Sequence, residues 1–202
     1  MTGRPRSTDV DRRLESAALM LFARGGLSAV SFDAVARQAG VSRTAIYRRW
    51  DTREALVAAS LRAFRAAAES GLEDWTDRTL DAILDIFVDR AAAALDDAFA
   101  RNLLRHLVAL GPDGEAITHT YLAEMIVPRR EAFSAKIREA QARGQIEPTR
   151  DPDLMQDLLA GALIQRLLLW GDLASGTDPR DYVEAVLEAV GFPRRPGSRA
   201  RE

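Results

Sequence analysis

The chain has 202 residues, 47% of them hydrophobic, with no cysteine and a formal net charge of −2, a size that suits one small module plus one helical domain. Without cysteine a disulfide framework and thiolate zinc sites are excluded, which fits a reducing, cytoplasmic compartment. The near-neutral total hides nine Arg against four acidic residues in positions 1–50 (+5) and 19 basic against 26 acidic in the remainder (−7), so a polyanion is directed to one end of the molecule.

In chain order, residues 1–8 read as a flexible basic arm. Gly3-Arg4-Pro5-Arg6 has the makeup of a minor-groove hook, with Arg4 and Arg6 reading a narrow A·T groove, and a tail with no defined contact explains the same residues. Val10, Leu14, Ala17, Ala18, Leu21 and Phe22 then form one stripe of a first helix closed by Gly25-Gly26. Arg12-Arg13 ahead of the apolar run at 19–22 has the start of an export signal, but Glu15 and Arg24 interrupt it and the run is short. No stretch approaches a membrane-spanning length.

Residues 31–56, SFDAVARQAGVSRTAIYRRWDTREAL, read as two short helices joined by a tight turn and followed by the start of a longer one. Ser31 caps the first, whose apolar Phe32, Val35, Ala36 and Ala39 keep helical spacing, and Gly40 ends it by taking a positive φ at little cost. Ser42 caps the second. Small Ala36, the turn at Gly40 and branched Ile46 supply a thin crossing, a reversal and a core plug, as a helix-turn-helix requires. An ordinary helical hairpin would share that spacing but leaves Arg43, Thr44, Tyr47, Arg48 and Arg49 without a purpose. Double-stranded DNA gives them one, since arginine forks bond guanine edges and phosphates, and Thr and Tyr hydroxyls bond phosphate oxygens.

This stretch closely resembles the N-terminal domain of the TetR family of bacterial transcriptional regulators. The shared pattern is Ser31 at the helix opening, Ala39 to Ser42 at the turn, then Tyr47, an aromatic at Trp50, the basic-acidic pair Arg53-Glu54, and Leu56. Trp50 stands where Phe is usual and Arg53 where Lys is usual. The resemblance implies an all-α protein, with a helix-turn-helix domain at 9–56 and a helical ligand-binding and dimerisation domain at 57–193. It also implies Ser31, Ser42, Arg43, Thr44, Tyr47, Arg48 and Arg53 as DNA contacts, Arg53 holding a phosphate at the start of the fourth helix.

Beyond the motif there is no strand-like alternation and no internal repeat. Thr52 opens a long fourth helix through Leu56, Leu61 and Phe64, and Thr76 or Thr79 caps a helix carrying Leu80, Ile83, Leu84, Phe87 and Val88. A shorter helix around Leu103, Leu104, Leu107 and Val108 ends at Gly111-Pro112. Pro128, within 121–142, fits a helix start better than a helix interior, and Gly144 stops that helix. Asp151-Pro152 and Asp178-Pro179 each place a capping carboxylate before a first-turn proline, with Gly171 and Gly191 following the helix ends. Residues 194–202 read as a disordered tail.

The segment LMQDLLAGALIQRLLLW is apolar around much of its circumference and must be covered on more than one face, by helices of its own chain or by a second copy. The family resemblance implies a homodimer through the last two long helices, and Leu158, Gly161, Ala162, Val183, Val186 and Leu187 are the residues placed there. It also implies a small-molecule inducer in the body, with Phe87, His106, Tyr121, Met125 and Gln165 as candidate contacts, beside the plainer reading that these are core residues. Few fixed charges are on offer, so an apolar or aromatic compound is expected.

No enzyme is expected. His106 and His119 lack metal-ligand spacing, there is no phosphate loop or nucleophile elbow, and acidic pairs such as Glu73-Asp74 and Asp96-Asp97 read as solvated helix surface. No cofactor is expected either. The reading is a sequence-specific DNA-binding regulator, a repressor released by an inducer, with control by a protein partner or by no ligand as the alternative.

Overall fold

The computed structural model describes residues 8–69, 78–170 and 176–193. The expectations for Arg4, Arg6, Thr76, Gly171 and residues 194–202 lie outside the described residues. Every described element is helical: α1 (Thr8–Ala29), α2 (Phe32–Ala39), α3 (Arg43–Tyr47), α4 (Arg53–Glu69), α5 (Leu80–Asp96), α6 (Ala98–Val108), α7 (Glu115–Thr120), α8 (Val127–Ala142), α9 (Pro152–Gln165) and α10 (Pro179–Val190). The described residues form two compact units, one from 8–69 together with 102–127, the other from 78–101 together with 128–170 and 176–193.

In the first unit α1 packs on α2 and α4, α2 on α3, and α4 on α7. Helical dihedrals in α1 stop at the glycine pair, where Gly25 has φ −147° and Gly26 φ +67°. Glycine at 26 answers two demands, the positive φ and a neighbour, since a Cβ there would lie 2.9 Å from His106 Nδ1. The stripe read from the sequence is the packed face: Leu14, Ala17, Ala18 and Phe22 are buried, joined by Val35, Ile46, Leu56, Val57 and Leu61.

The helix start expected at Pro128 is the first turn of α8, which continues from helical backbone before it. Helical backbone persists through Thr120, Tyr121 and Val127, and a π-helical segment, Tyr121–Ile126, stands immediately upstream. Proline has no N–H to donate four residues back, so it is tolerated at the second residue of α8, where that bond is not required.

In the second unit α10 packs on α5 and α9. Its core gathers Leu84, Val88, Ile137, Met155, Leu159, Val183 and Leu187, with the rings of Phe133 and Phe192 stacked at 5.6 Å. The predicted caps are in place: Thr79 Oγ1 accepts from Ala82 N, the Asp151 carboxylate from Asp153 N, and the Asp178 carboxylate from Arg180 N and Asp181 N. A polar clamp fixes α8 to α9, in which Gln156 Nε2 donates to Ser134 Oγ at 2.7 Å and Ser134 Oγ donates to Asp153 at 2.9 Å. Among the described residues no helix is long and apolar enough to cross a membrane, and no group of three or more His, Asp or Glu is arranged to hold a metal ion.

Candidate nucleic-acid interface

The helix-turn-helix is built by local rules. Ser31 has extended backbone and its Oγ accepts from Ala34 N at 3.1 Å, opening α2. Gly40 closes it with φ +62° and ψ +40°, its N–H returning to the carbonyls of α2. Ser42 is extended, as an N-cap should be, but its hydroxyl makes no capping bond to α3, so its side chain does not do the work that the sequence assigns to it. α3 is held from below by Ile46, fully buried, while Arg43, Thr44, Tyr47 and Arg48 are exposed.

Two arginines, Arg13 of α1 and Arg49 of the basic cluster, serve the scaffold. The Arg13 guanidinium donates to the carbonyls of Ala39 and Gly40, satisfying acceptors that the end of α2 leaves open. Arg49 Nε pairs with Asp11 of α1 and Nη1 donates to Ala45 O at 3.0 Å, with the Arg49 side chain only 14% exposed. Arg13 ties α1 to the end of α2, and the Arg49–Asp11 pair ties α1 to the segment after α3. Sequence spacing does not separate Arg48 from Arg49, but the fold does: Arg48 makes no side-chain hydrogen bond or ion pair with the described residues.

Arg43, first residue of α3, is already engaged. Nη1 lies 2.9 Å from Asp33 of α2, Nη2 donates to the Tyr47 hydroxyl at 2.9 Å, and the guanidinium carbon sits 5.4 Å from the Tyr47 ring centre. The Tyr47 hydrogen bond and then the Asp33 charge push the guanidinium pKa further up, so the side chain stays a cation. Tyr47 is half exposed, and its ring meets Phe32 edge-on at 4.9 Å. Phe32 and Asp33 are the neighbours of this site that sequence spacing does not reveal, since Phe32 also fits the apolar stripe of α2 and Asp33 is an exposed acid near a helix start.

At the start of α4 the expected phosphate anchor has partners of its own. Thr52 Oγ1 caps the helix by accepting from Ala55 N at 3.1 Å, while Arg53 Nε donates to Glu54 at 2.8 Å and Nη1 to Leu27 O at 3.3 Å. Partial burial pushes the Glu54 carboxyl up, but hydrogen bonds from Arg53, its own backbone N–H and Thr52, with the Arg53 charge, outweigh that and leave it below the usual carboxylate range. Further along, α4 is latched within the same unit: Arg62 forks onto Glu124 and reaches Thr120, and that bond first of all lowers the Glu124 pKa.

The other expected sites fall as follows. His106 is half-buried in the first unit with its ring edge-on to Phe22 at 6.1 Å, and Tyr121 is half-buried there as well. Met125 belongs to the π-helical segment of that unit, and its side chain lies outside the described residues. Phe87 packs against the core of the second unit, and Gln165 is exposed at the end of α9. On α9, Leu158 is 54% exposed, Gly161 is exposed with open space around its Cβ position, and the Ala162 carbonyl accepts from Tyr182. Val183 and Leu187, placed in a dimer seam from the sequence, are 0% and 3% exposed in the chain's own core, and Val186 packs against that core. In this chain α10 packs on α5 and α9.

Residues 15–60 match the family described as "Bacterial regulatory proteins, tetR family", and residues 76–190 match "Tetracyclin repressor-like, C-terminal domain". The DNA-binding transcriptional repressor TetR of Mycobacteroides abscessus is 29% identical over 187 residues, covering 92% of this chain and 94% of that protein. The uncharacterized HTH-type transcriptional regulator YdeS of Bacillus subtilis is 26% identical over 194 residues, covering 93% of each. In fold, the chain is similar to the transcriptional regulator FadR from Bacillus subtilis, solved in complex with stearoyl-CoA, with a TM-score of 0.72 at 16% identity over 88% of this chain and 96% of that one. Matched in both its helix-turn-helix and its C-terminal region, the chain belongs to the TetR family of bacterial transcriptional regulators, which are DNA-binding proteins and not enzymes.

Proposed function

We propose that this protein is a cytoplasmic repressor that binds an inverted-repeat operator as a homodimer and leaves it when a small apolar or aromatic inducer binds. The observation that carries the DNA reading is the division of labour among the arginines: Arg13 and Arg49 lock the motif from within, while Arg43, Thr44 and Tyr47 on α3 and Arg48 just after it stay exposed. In this reading Arg43 reaches a base edge from the start of α3. Thr44, Tyr47, Arg48 and the hydroxyls of Ser31 and Ser42 bond phosphates, Arg53 keeps part of its fork for a phosphate beside α4, and Arg4 and Arg6 serve a minor-groove arm. The relative from Mycobacteroides abscessus is named a repressor, which supports the direction of control.

For the dimer, support comes from the apolar side chains that α9 leaves uncovered, Leu154 and Leu158, continued by Leu169, with Gly161 and Ala162 allowing close approach. Val183 and Leu187 pack in the chain's own core, so the uncovered side chains of α9 lead the proposed seam. For the inducer, the apolar body argues for a compound with little charge. FadR, which shares the fold, was solved with stearoyl-CoA, whose acyl chain is apolar but whose CoA head carries phosphate charges, so it supports a small-molecule ligand and not the absence of charge. Phe87, His106, Tyr121, Met125 and Gln165 remain the candidate contacts.

The test is a thermal-shift screen for stabilising compounds, followed by operator titration with each hit. An inducer must bind the DNA-incompetent state more tightly, a tenfold preference contributing about 1.4 kcal/mol per site. A hit that weakens operator binding supports the proposal. If every stabilising hit leaves operator affinity unchanged, the inducer reading fails and control by a protein partner replaces it.

A further inference from the structure

Arg43 is restrained from three sides before any DNA arrives. Asp33 holds Nη1, the Tyr47 hydroxyl takes Nη2, and the Tyr47 ring, itself set edge-on against Phe32, lies beneath the guanidinium. Only part of the fork's donors are spent, so the remaining N–H groups are available in a fixed orientation. We propose that Asp33 is a specificity-determining residue, which positions Arg43 for a base edge and keeps it from binding phosphate.

Two physical effects act in the same direction. A free arginine on an exposed helix samples many rotamers and takes whatever acceptor is near, and on DNA most acceptors are phosphates that carry no sequence information. With one edge of the fork held by a carboxylate, a phosphate must displace a group of like charge to use that edge, so the sequence-independent contact gains little. A guanine edge asks for a pair of donors in a set orientation, and a restrained fork has surrendered its rotamer freedom before binding. Asp33 therefore lowers random-sequence binding and sharpens one base position. It touches Arg43 rather than DNA, and is a positioning residue. The proposal rests on α3 being the reading helix.

The experiment compares wild type, Asp33→Asn, Arg43→Ala and the double variant on three probes: the duplex that wild type selects from random DNA, its single-base variants, and a random-sequence duplex, each over a range of salt. Asp33→Asn is expected to tighten random-duplex binding about two- to fivefold, the span of an exposed ion pair. Its salt slope should steepen by up to about 0.9 as the released Arg43 takes a phosphate. Preference at one base position should fall, and the double variant should match Arg43→Ala alone. Asp33→Glu, which keeps the charge, should return random-duplex affinity toward wild type, and melting curves verify that each variant is folded.

An unchanged ratio of selected-site to random affinity in Asp33→Asn overturns the proposal while leaving α3 as the reader. An Asp33→Asn effect that persists at full size in the Arg43→Ala background also overturns it, since Asp33 would then be a general charge. If Arg43→Ala alters binding to none of the probes, the reading of α3 fails and the proposal with it.

Discussion

Neighbouring arginines with opposite duties provide the sharpest test of how the reading head is built. Arg49 pairs with Asp11, the two side chains being 14% and 27% exposed, and also donates to Ala45 O. Arg49→Ala removes a charged hydrogen bond, worth roughly 1.5–3 kcal/mol, and leaves Asp11 partly buried without that partner. The pair is not sealed from water, so the loss should stay below the roughly 3–5 kcal/mol of a fully buried pair. About 2 kcal/mol is expected, a fall of roughly 4–8 °C in Tm for a chain of this size. Arg48→Ala should leave stability within about 0.5 kcal/mol but weaken binding to every duplex alike and cut the salt slope by about 0.9. Urea melts read the first effect and fluorescence anisotropy across a salt series reads the second. An Arg49→Ala protein with an unchanged melt and a reduced salt slope would refute the assignment, as would an Arg48→Ala protein that melts early.

Other substitutions probe the remaining elements. Ser31→Ala should cost about 1 kcal/mol in a urea melt by removing the cap of α2, while Ser31→Gly should cost only a few tenths. Gly161→Leu meets open space in its own chain and raises helix propensity by close to 1 kcal/mol, so a monomer would gain stability. Across a close helix contact the same leucine overpacks, and sedimentation should show the dimer weakened by about 1–3 kcal/mol. Burial, and then the Asp11 charge, raise the Glu15 pKa above the usual carboxylate range, so its ionised form costs stability at neutral pH and that cost vanishes as pH falls below its ordinary value. Glu15→Gln should therefore raise Tm at pH 7, with a gain that shrinks as the wild-type carboxyl protonates in acid.

What the sequence disclosed was local chemistry. The cap at Ser31, the left-handed Gly40, the plug at Ile46 and the Asp-Pro helix starts each follow from one residue and its immediate neighbours, and each is present. What it withheld depends on contacts between distant positions. Arg48 and Arg49 are indistinguishable until Asp11, 38 residues from Arg49, is brought beside one of them. The pairing of Asp33 with Arg43 crosses the turn, and nothing in an acidic residue on a helix surface announces it. Val183 and Leu187 form a stripe that would suit a partner or the chain's own core, and periodicity cannot say which; in the folded chain they join the core that α5 and α9 share. Pro128 sits in the first turn of α8, where proline is at home, but the π-helical segment that stands before it has no sequence signature of its own. The return of residues 102–127 to the unit of α1–α4 likewise rests on packing, such as His106 against Phe22, rather than on pattern.

Selection of bound sequences from random DNA by the purified protein tests the central claim most directly. Two equivalent heads predict an inverted repeat whose half-sites lie about 34–36 Å apart or at a multiple of that spacing, with affinity falling steeply in salt. An enriched asymmetric single site would contradict the dimer, and no enrichment over random sequence would contradict the reading of α3 as a base-reading helix.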